Sequence, residues 1–158
     1  SKTVCMTIGP QRKLSKLNEL SLSVQDITLQ SVETHRLFGV HLDKNLTWNI
    51  HIDKLCKQLN VKINILILDM KKVFYTGYIS SIMEYACIFW GIGNKTNSNR
   101  IIKLQKRAAR IVLKTTFKTS SKLMFNALKW LSFPTICIYY TNVIIFKSSS
   151  SKYVSVNQ

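Results

Sequence analysis

The sequence predicts an α+β fold: short N-terminal antiparallel strands, with a hairpin, followed by a bundle of about four to five helices. Three observations predict it. The first forty-odd residues hold short β-rich runs separated by Gly, Pro and polar pairs. Beyond Asp43 the apolar period changes from alternation to three- and four-residue steps. The later apolar stretches are bounded by Gly, Pro or capping side chains. The chain divides accordingly into strands over 1–46, helices over 47–147 and a low-complexity tail, expected to fray, over 148–158.

Thr3–Ile8 is short and β-rich, and Gly9-Pro10 stops it. Leu22-Ser23-Val24 and Ile27-Thr28-Leu29 alternate on either side of Gln25-Asp26, the pattern of a hairpin. Leu37–Leu42 is a further apolar run, broken by Gly39. The Thr47 hydroxyl can cap a helix by accepting a first-turn N–H. Ile52, Leu55, Leu59, Ile63 and Leu66 then mark its buried stripe. Val73–Trp90 reads as an apolar helix, weakened by Gly77 and ended by Gly91. Asn94–Asn99 is a polar loop, with Ser98 or Asn99 capping a helix that runs to about Lys114. Ser121–Lys129 is a shorter helix, and the apolar stretch after Pro134 another.

The chain has 158 residues, enough for one domain or slightly more, and 46% of them are hydrophobic, ample for a core. Charge is the strongest compositional signal. Lys and Arg number 23 against 7 Asp and Glu, a net +16. Residues 1–84 hold 11 basic and 7 acidic side chains, whereas residues 85–158 hold 12 basic and none acidic. Such a field repels itself unless a polyanion neutralises it. Nucleic acid is the leading partner class and an anionic membrane surface the second; a solvated basic surface is the plainer alternative.

Arg100–Lys114 is the most informative segment. Wound as a helix with Ile101 at the origin, Leu104, Ala108, Ile111 and Val112 fall within about 80° of it. Lys103, Lys106, Arg107, Arg110 and Lys114 occupy the opposite face, between about 140° and 240°. A solvated face usually mixes signs, because like charges one turn apart are destabilising. Five cations without a carboxylate suit phosphates along a nucleic-acid backbone, without base reading. Behind that reading stand a merely solvated face and, third, a membrane surface, which would need a stronger insertion face than Ala108 and Ala109 offer.

The sequence carries no recognisable catalytic or metal-site pattern. No two carboxylates are adjacent in the sequence, and two-metal chemistry needs them converging on ions about 3.5–4 Å apart. His35 and His41 could share a strand face, but with His51 they fit no familiar ligand spacing. Cys5, Cys56, Cys87 and Cys137 lie far apart, as buried free thiols rather than zinc ligands. No phosphate-binding Gly loop, dinucleotide fingerprint or nucleophile elbow is present. The opening residues lack a signal-peptide core, and Phe133–Phe146 is too short to span a bilayer. The expected setting is intracellular, nuclear or cytoplasmic, with no catalytic residue, metal or cofactor in this chain.

LFGVHLDKNLTWNIHI, beginning at Leu37 and continuing past Asp53 into KLCKQLN, resembles the segment just beyond the active site of non-LTR (LINE-type, jockey-like) retrotransposon reverse transcriptases. YISSIMEYACIFWG (Tyr78–Gly91), KLQKRAARIVL (Lys103–Leu113) and the Leu-Trp-rich Met124–Leu131 follow in the family's order. Ser1-Lys2-Thr3 is similar to the Lys-Thr that closes the family's palm, and Phe146-Lys147 and Lys152-Tyr153 to its next landmark. The resemblance implies that 1–46 is the palm edge with a primer-grip-like segment at Leu37, Phe38, Gly39 and Val40, which would hold a growing 3′ end. It implies that 47–147 is a thumb-like and following region tracking a template–primer duplex.

Departures matter equally. The family's catalytic aspartates, with their Tyr/Phe-x-Asp-Asp motif, are absent, as is an endonuclease domain. The chain looks short between Leu68 and Tyr75, and Ser148–Ser151 replaces a longer linker. The implied function is a fragment of an RNA-directed DNA polymerase that retains nucleic-acid contacts and lacks its palm partner; the parent would use Mg. A stand-alone nucleic-acid-binding or protein-interaction module derived from a retroelement is the alternative.

Overall fold

A computed structural model describes residues 3–16, 22–24, 27–65 and 75–154, with side chains described as far as 149. The architecture is α+β, short strand pairs first and helices after. The chain forms two compact units, Ser1–Asp53 and Lys54–Gln158.

The first unit holds β1 (Val4–Cys5), α1 (Gln11–Leu14), β2 (Ser23–Val24), β3 (Ile27–Thr28), β4 (Gln30–Ser31), β5 (Thr34–Leu37) and β6 (Val40–Asp43). The expected hairpin forms: β2 and β3 pair antiparallel, with Val24 opposite Ile27, around residues 25–26, which lie outside the described set. The strand expected over Thr3–Ile8 contracts to Val4–Cys5 and pairs with β4 in parallel, not antiparallel. Beyond it the Gly9 N–H donates to the Lys44 carbonyl at 2.9 Å, and Pro10 opens α1 instead. Leu37–Leu42, expected as one run, is a second hairpin. β5 and β6 pair with Leu37 opposite Val40, and Phe38 and Gly39 form the two-residue turn. That folding sets His41 opposite Arg36 and His35 opposite Leu42, so the two histidines do not share a face. These ladders are two-stranded, and Leu22, Val24, Ile27 and Leu37 are exposed.

The passage from β6 to α2 (Asn49–Ile65) turns on Asp43. Its Oδ1 accepts from the Asn45 and Thr47 N–H groups, at 3.1 and 3.0 Å. Its Oδ2 accepts from the Trp48 N–H at 3.0 Å and the Thr47 hydroxyl at 3.2 Å. The expected Thr47 cap is thus secondary: its Oγ1 meets the Asn49 N–H at 3.4 Å, while the buried carboxylate organises the helix entry. Burial alone would raise the Asp43 pKa, but these hydrogen bonds outweigh it and hold it below its usual value. The α2 stripe is as predicted, with Ile52, Leu55, Leu59 and Ile63 buried; Leu66 lies outside the described residues.

In the second unit the apolar segment expected as one helix over Val73–Trp90 is broken. A π-helical turn (Tyr75–Ser80) leads into α3 (Ser81–Glu84), and α4 (Cys87–Trp90) follows after Ala86 takes a left-handed φ of 53°. The break turns Met83, Cys87 and Trp90 all into the core. Gly91 does end the segment, for a packing reason: a Cβ there would sit 2.5 Å from Cys137 Sγ and 2.6 Å from the Cys87 carbonyl.

α5 (Lys95–Leu113) is capped four or five residues earlier than expected. Asn94 is the cap, its Oδ1 accepting from the Thr96 and Asn97 N–H groups at 2.9 and 3.3 Å, so most of the supposed loop is helical. α6 (Ser121–Leu128) matches expectation, and α7 (Phe133–Val154) carries the helix through the serine run, where fraying was expected. There the Ser148 and Ser149 hydroxyls donate to the Ile145 carbonyl. α5 packs on α6 and α7, and α7 on α3 and α4. Cys56, Cys87 and Cys137 are buried free thiols; Cys5 is half-buried. Among the described residues no helix is long and apolar enough to cross a membrane.

Candidate nucleic-acid interface

α5 meets its surroundings through a stripe rotated from the predicted one. Ile101 and Ala108 are fully buried as expected, but Leu104, Ile111 and Val112 are only partly covered. Gln105 and Ala109 are buried in their place. The rotation has a chemical cause. Gln105 Nε2 donates to the Tyr75 hydroxyl at 3.1 Å and to the Leu131 carbonyl at 2.8 Å, and its Oε1 accepts the Phe133 N–H at 2.9 Å. A buried amide with three partners is stable in a core where an unpaired one is costly. It fixes the first amide of α7 and the π-helical turn to the middle of α5. Tyr75 stacks on Trp130 beside it, with ring centroids 3.3 Å apart.

Helical geometry puts Lys103, Lys106, Arg107 and Arg110 on the opposite face, while Lys114 falls just past the end of α5; none of the five pairs with a carboxylate among the described residues. They divide by what else they touch. Arg107 donates from its two terminal nitrogens to Asn60 Oδ1 and Asn64 Oδ1, 2.9 Å each. Those amides lie one turn apart on α2, so the planar fork bridges two helices while its charge stays unneutralised. Arg110 lies over the Phe117 ring, 4.9 Å from the centroid, and its Nε is buried without a hydrogen bond among the described residues. Lys103 and Lys114 are exposed and Lys106 half-buried, and none of these three ammonium groups has a hydrogen bond among the described residues. Lys114 ends α5 in the left-handed conformation, φ 52°, with the Thr115 N–H reaching back to the Arg110 carbonyl. That position usually favours glycine.

Lys106 also borders a groove of about 450 Å³ formed with α6 and the start of α7, on whose wall Lys122 stands. Neither Gln105 nor Lys122 is among the site residues expected from the sequence. Gln105 was legible as one polar residue inside an apolar stripe; Lys122 was visible only as another charge in the acid-free half.

The primer-grip-like residues lie in the first unit. Leu37 and Val40 are the closing pair of the β5–β6 hairpin, and Phe38 and Gly39 both have positive φ, 46° and 83°. This is the two-residue turn whose twist suits a hairpin, and it accounts for Gly39 without a ligand. Phe38 is 84% exposed at the tip. A non-glycine residue in that conformation is strained, by about 1 kcal/mol or more. Among the described residues no group of His, Cys, Asp and Glu is placed to hold a metal ion.

The fold and this face together define an α+β chain whose helical unit is strongly cationic and, past Glu84, free of acids. The chain is 30% identical to a Drosophila melanogaster protein described as "Probable RNA-directed DNA polymerase from transposon BS", over 67% of this chain. It spans 13% of that relative's length. The similarity supports a relationship to reverse transcriptases. No protein-family profile and no solved structure matches the chain.

Proposed function

We propose that the chain is part of a non-LTR retrotransposon's RNA-directed DNA polymerase, from the region after the catalytic palm, and that it holds nucleic-acid backbones through the basic face of α5. The observation that carries this reading is the uncompensated charge itself: Lys103 and Lys106 on α5 and Lys114 at its end have no hydrogen-bond or ion-pair partner among the described residues, in a chain similar to a transposon polymerase. Catalysis, its Mg ions and the intracellular setting belong to the parent protein, and the isolated chain does not extend a primer. The apolar side chains left exposed on the two-stranded ladders accord with strands that pair with a palm sheet in the parent. A stand-alone retroelement-derived module is the second reading, favoured by the second unit's own buried core. Coding sequence upstream decides between them: a Tyr/Phe-x-Asp-Asp motif there supports the polymerase.

The test is the salt dependence of duplex binding. Five phosphates neutralised would give a slope of log K against log salt of about −4.5. Changing Lys103, Lys106 and Lys114 together to Gln leaves the Arg107 bridge and the apolar stripe in place. The slope then becomes shallower by about 2–3 units. An unchanged slope with helicity intact means a solvated face; loss of anionic-vesicle binding with nucleic-acid binding untouched means a membrane surface.

A further inference from the structure

The groove beside the basic face has a composition that backbone binding does not explain. Lys106 and Lys122 stand on its walls, yet Phe125, Trp130, Leu131 and Pro134 line it as well. Leu131 is half exposed, and Trp130 keeps part of its surface accessible although one face is taken by Tyr75. Neither Lys106 nor Lys122 has a hydrogen-bond or ion-pair partner among the described residues. Phosphates alone call for cations and leave apolar walls idle. Bases inside a duplex are stacked on one another and cannot use such walls. A strand with unpaired bases uses both, through phosphates on the ammonium groups and a flat base face on the apolar side. At about 450 Å³ the groove is of ligand-pocket size and can take one such base with its sugar.

We infer that this groove binds an unpaired nucleotide of single-stranded nucleic acid, with its phosphate between Lys106 and Lys122 and its base against Trp130, Leu131 and Pro134. The inference rests on the backbone-binding reading, since Lys106 belongs to both surfaces, and it adds the class of strand. An acidic peptide would satisfy the lysines but would gain less from the aromatic and proline walls.

The experiment compares the full chain and Lys122→Gln on three probes: a short single-stranded oligonucleotide, the same strand with abasic sites, and a duplex. Lys122 is exposed on α6, outside both the buried stripe and the basic face of α5, so folding is preserved. For the unchanged chain, the abasic strand should bind at least about fivefold more weakly than the intact one. Lys122→Gln should weaken single-strand binding and make its salt slope shallower by about 0.7, leaving the duplex slope unchanged. A second variant, Asn126→Phe, fills the groove without altering charge and should abolish the preference for the intact strand over the abasic one. Equal binding of intact and abasic strands overturns the inference. So does an equal loss on duplex and single strand, or displacement of the strand by poly-glutamate as effective as by unlabelled strand. Absence of salt-dependent binding to any probe removes the backbone reading as well; duplex binding that survives while the groove variants change nothing removes only the groove.

Discussion

Arg107 donates to Asn60 Oδ1 across 2.9 Å, joining α5 to α2 with no carboxylate involved. Asn64 completes the bridge one turn further along α2. A guanidinium held by two neutral amides keeps its full charge, so one side chain serves helix packing and the cationic field together. Arg107→Ala should therefore cost stability, about 1 kcal/mol for exposed hydrogen bonds, where the same change at Lys103 should cost almost none. Arg107→Lys should recover little of it, because one ammonium cannot span both amides. Thermal melts of the three variants check this; equal melting temperatures for the Arg107→Ala and Lys103→Ala variants would show that the bridge contributes nothing.

Gln105 is expected to be the most sensitive polar position in the second unit. Gln105→Leu preserves volume and apolar character but leaves the Tyr75 hydroxyl, the Leu131 carbonyl and the Phe133 N–H without their partner. Each unsatisfied buried group costs about 1–3 kcal/mol, so a loss of about 3 kcal/mol or more is expected. Gln105→Glu keeps the acceptor for Phe133, loses both donors and buries a charge, so it should be at least as damaging. Denaturant titration measures both, and a neutral Gln105→Leu variant would sink the assignment.

Asp43 gives the first unit an acid-labile joint. Its pKa in the fold lies below the unfolded value of about 3.9, because its hydrogen bonds from Asn45, Thr47 and Trp48 favour the carboxylate more than burial disfavours it. The stability it contributes is therefore complete above about pH 4 and is lost as pH falls through the lowered value. Asp43→Asn should remove that pH dependence and weaken the entry to α2 at neutral pH, since an amide keeps one accepting oxygen and puts an NH2 donor where the other stood. An NMR titration of the Asp43 carboxyl with its midpoint at or above the ordinary aspartate value would contradict this.

The sequence by itself determined the fold class, the stripe of α2, the extent of α6 and the helical register that puts Lys103, Lys106, Arg107 and Arg110 on one side of α5. Each follows from side chains a few residues apart, and local periodicity encodes such neighbours directly. The tertiary structure decided what depends on distant partners. Gln105 looked out of place until Tyr75, Leu131 and Phe133 came to it, and their hydrogen bonds rotated the buried stripe. Arg107 looked like Lys103 until Asn60 and Asn64, more than forty positions away in the chain, claimed its guanidinium. Gly91 read as a helix stop, but only the approach of Cys137 shows why no Cβ fits there. In each case the deciding energy is a hydrogen bond or a close packing contact between residues that sequence spacing does not relate, and folding brings them together only after the local elements exist.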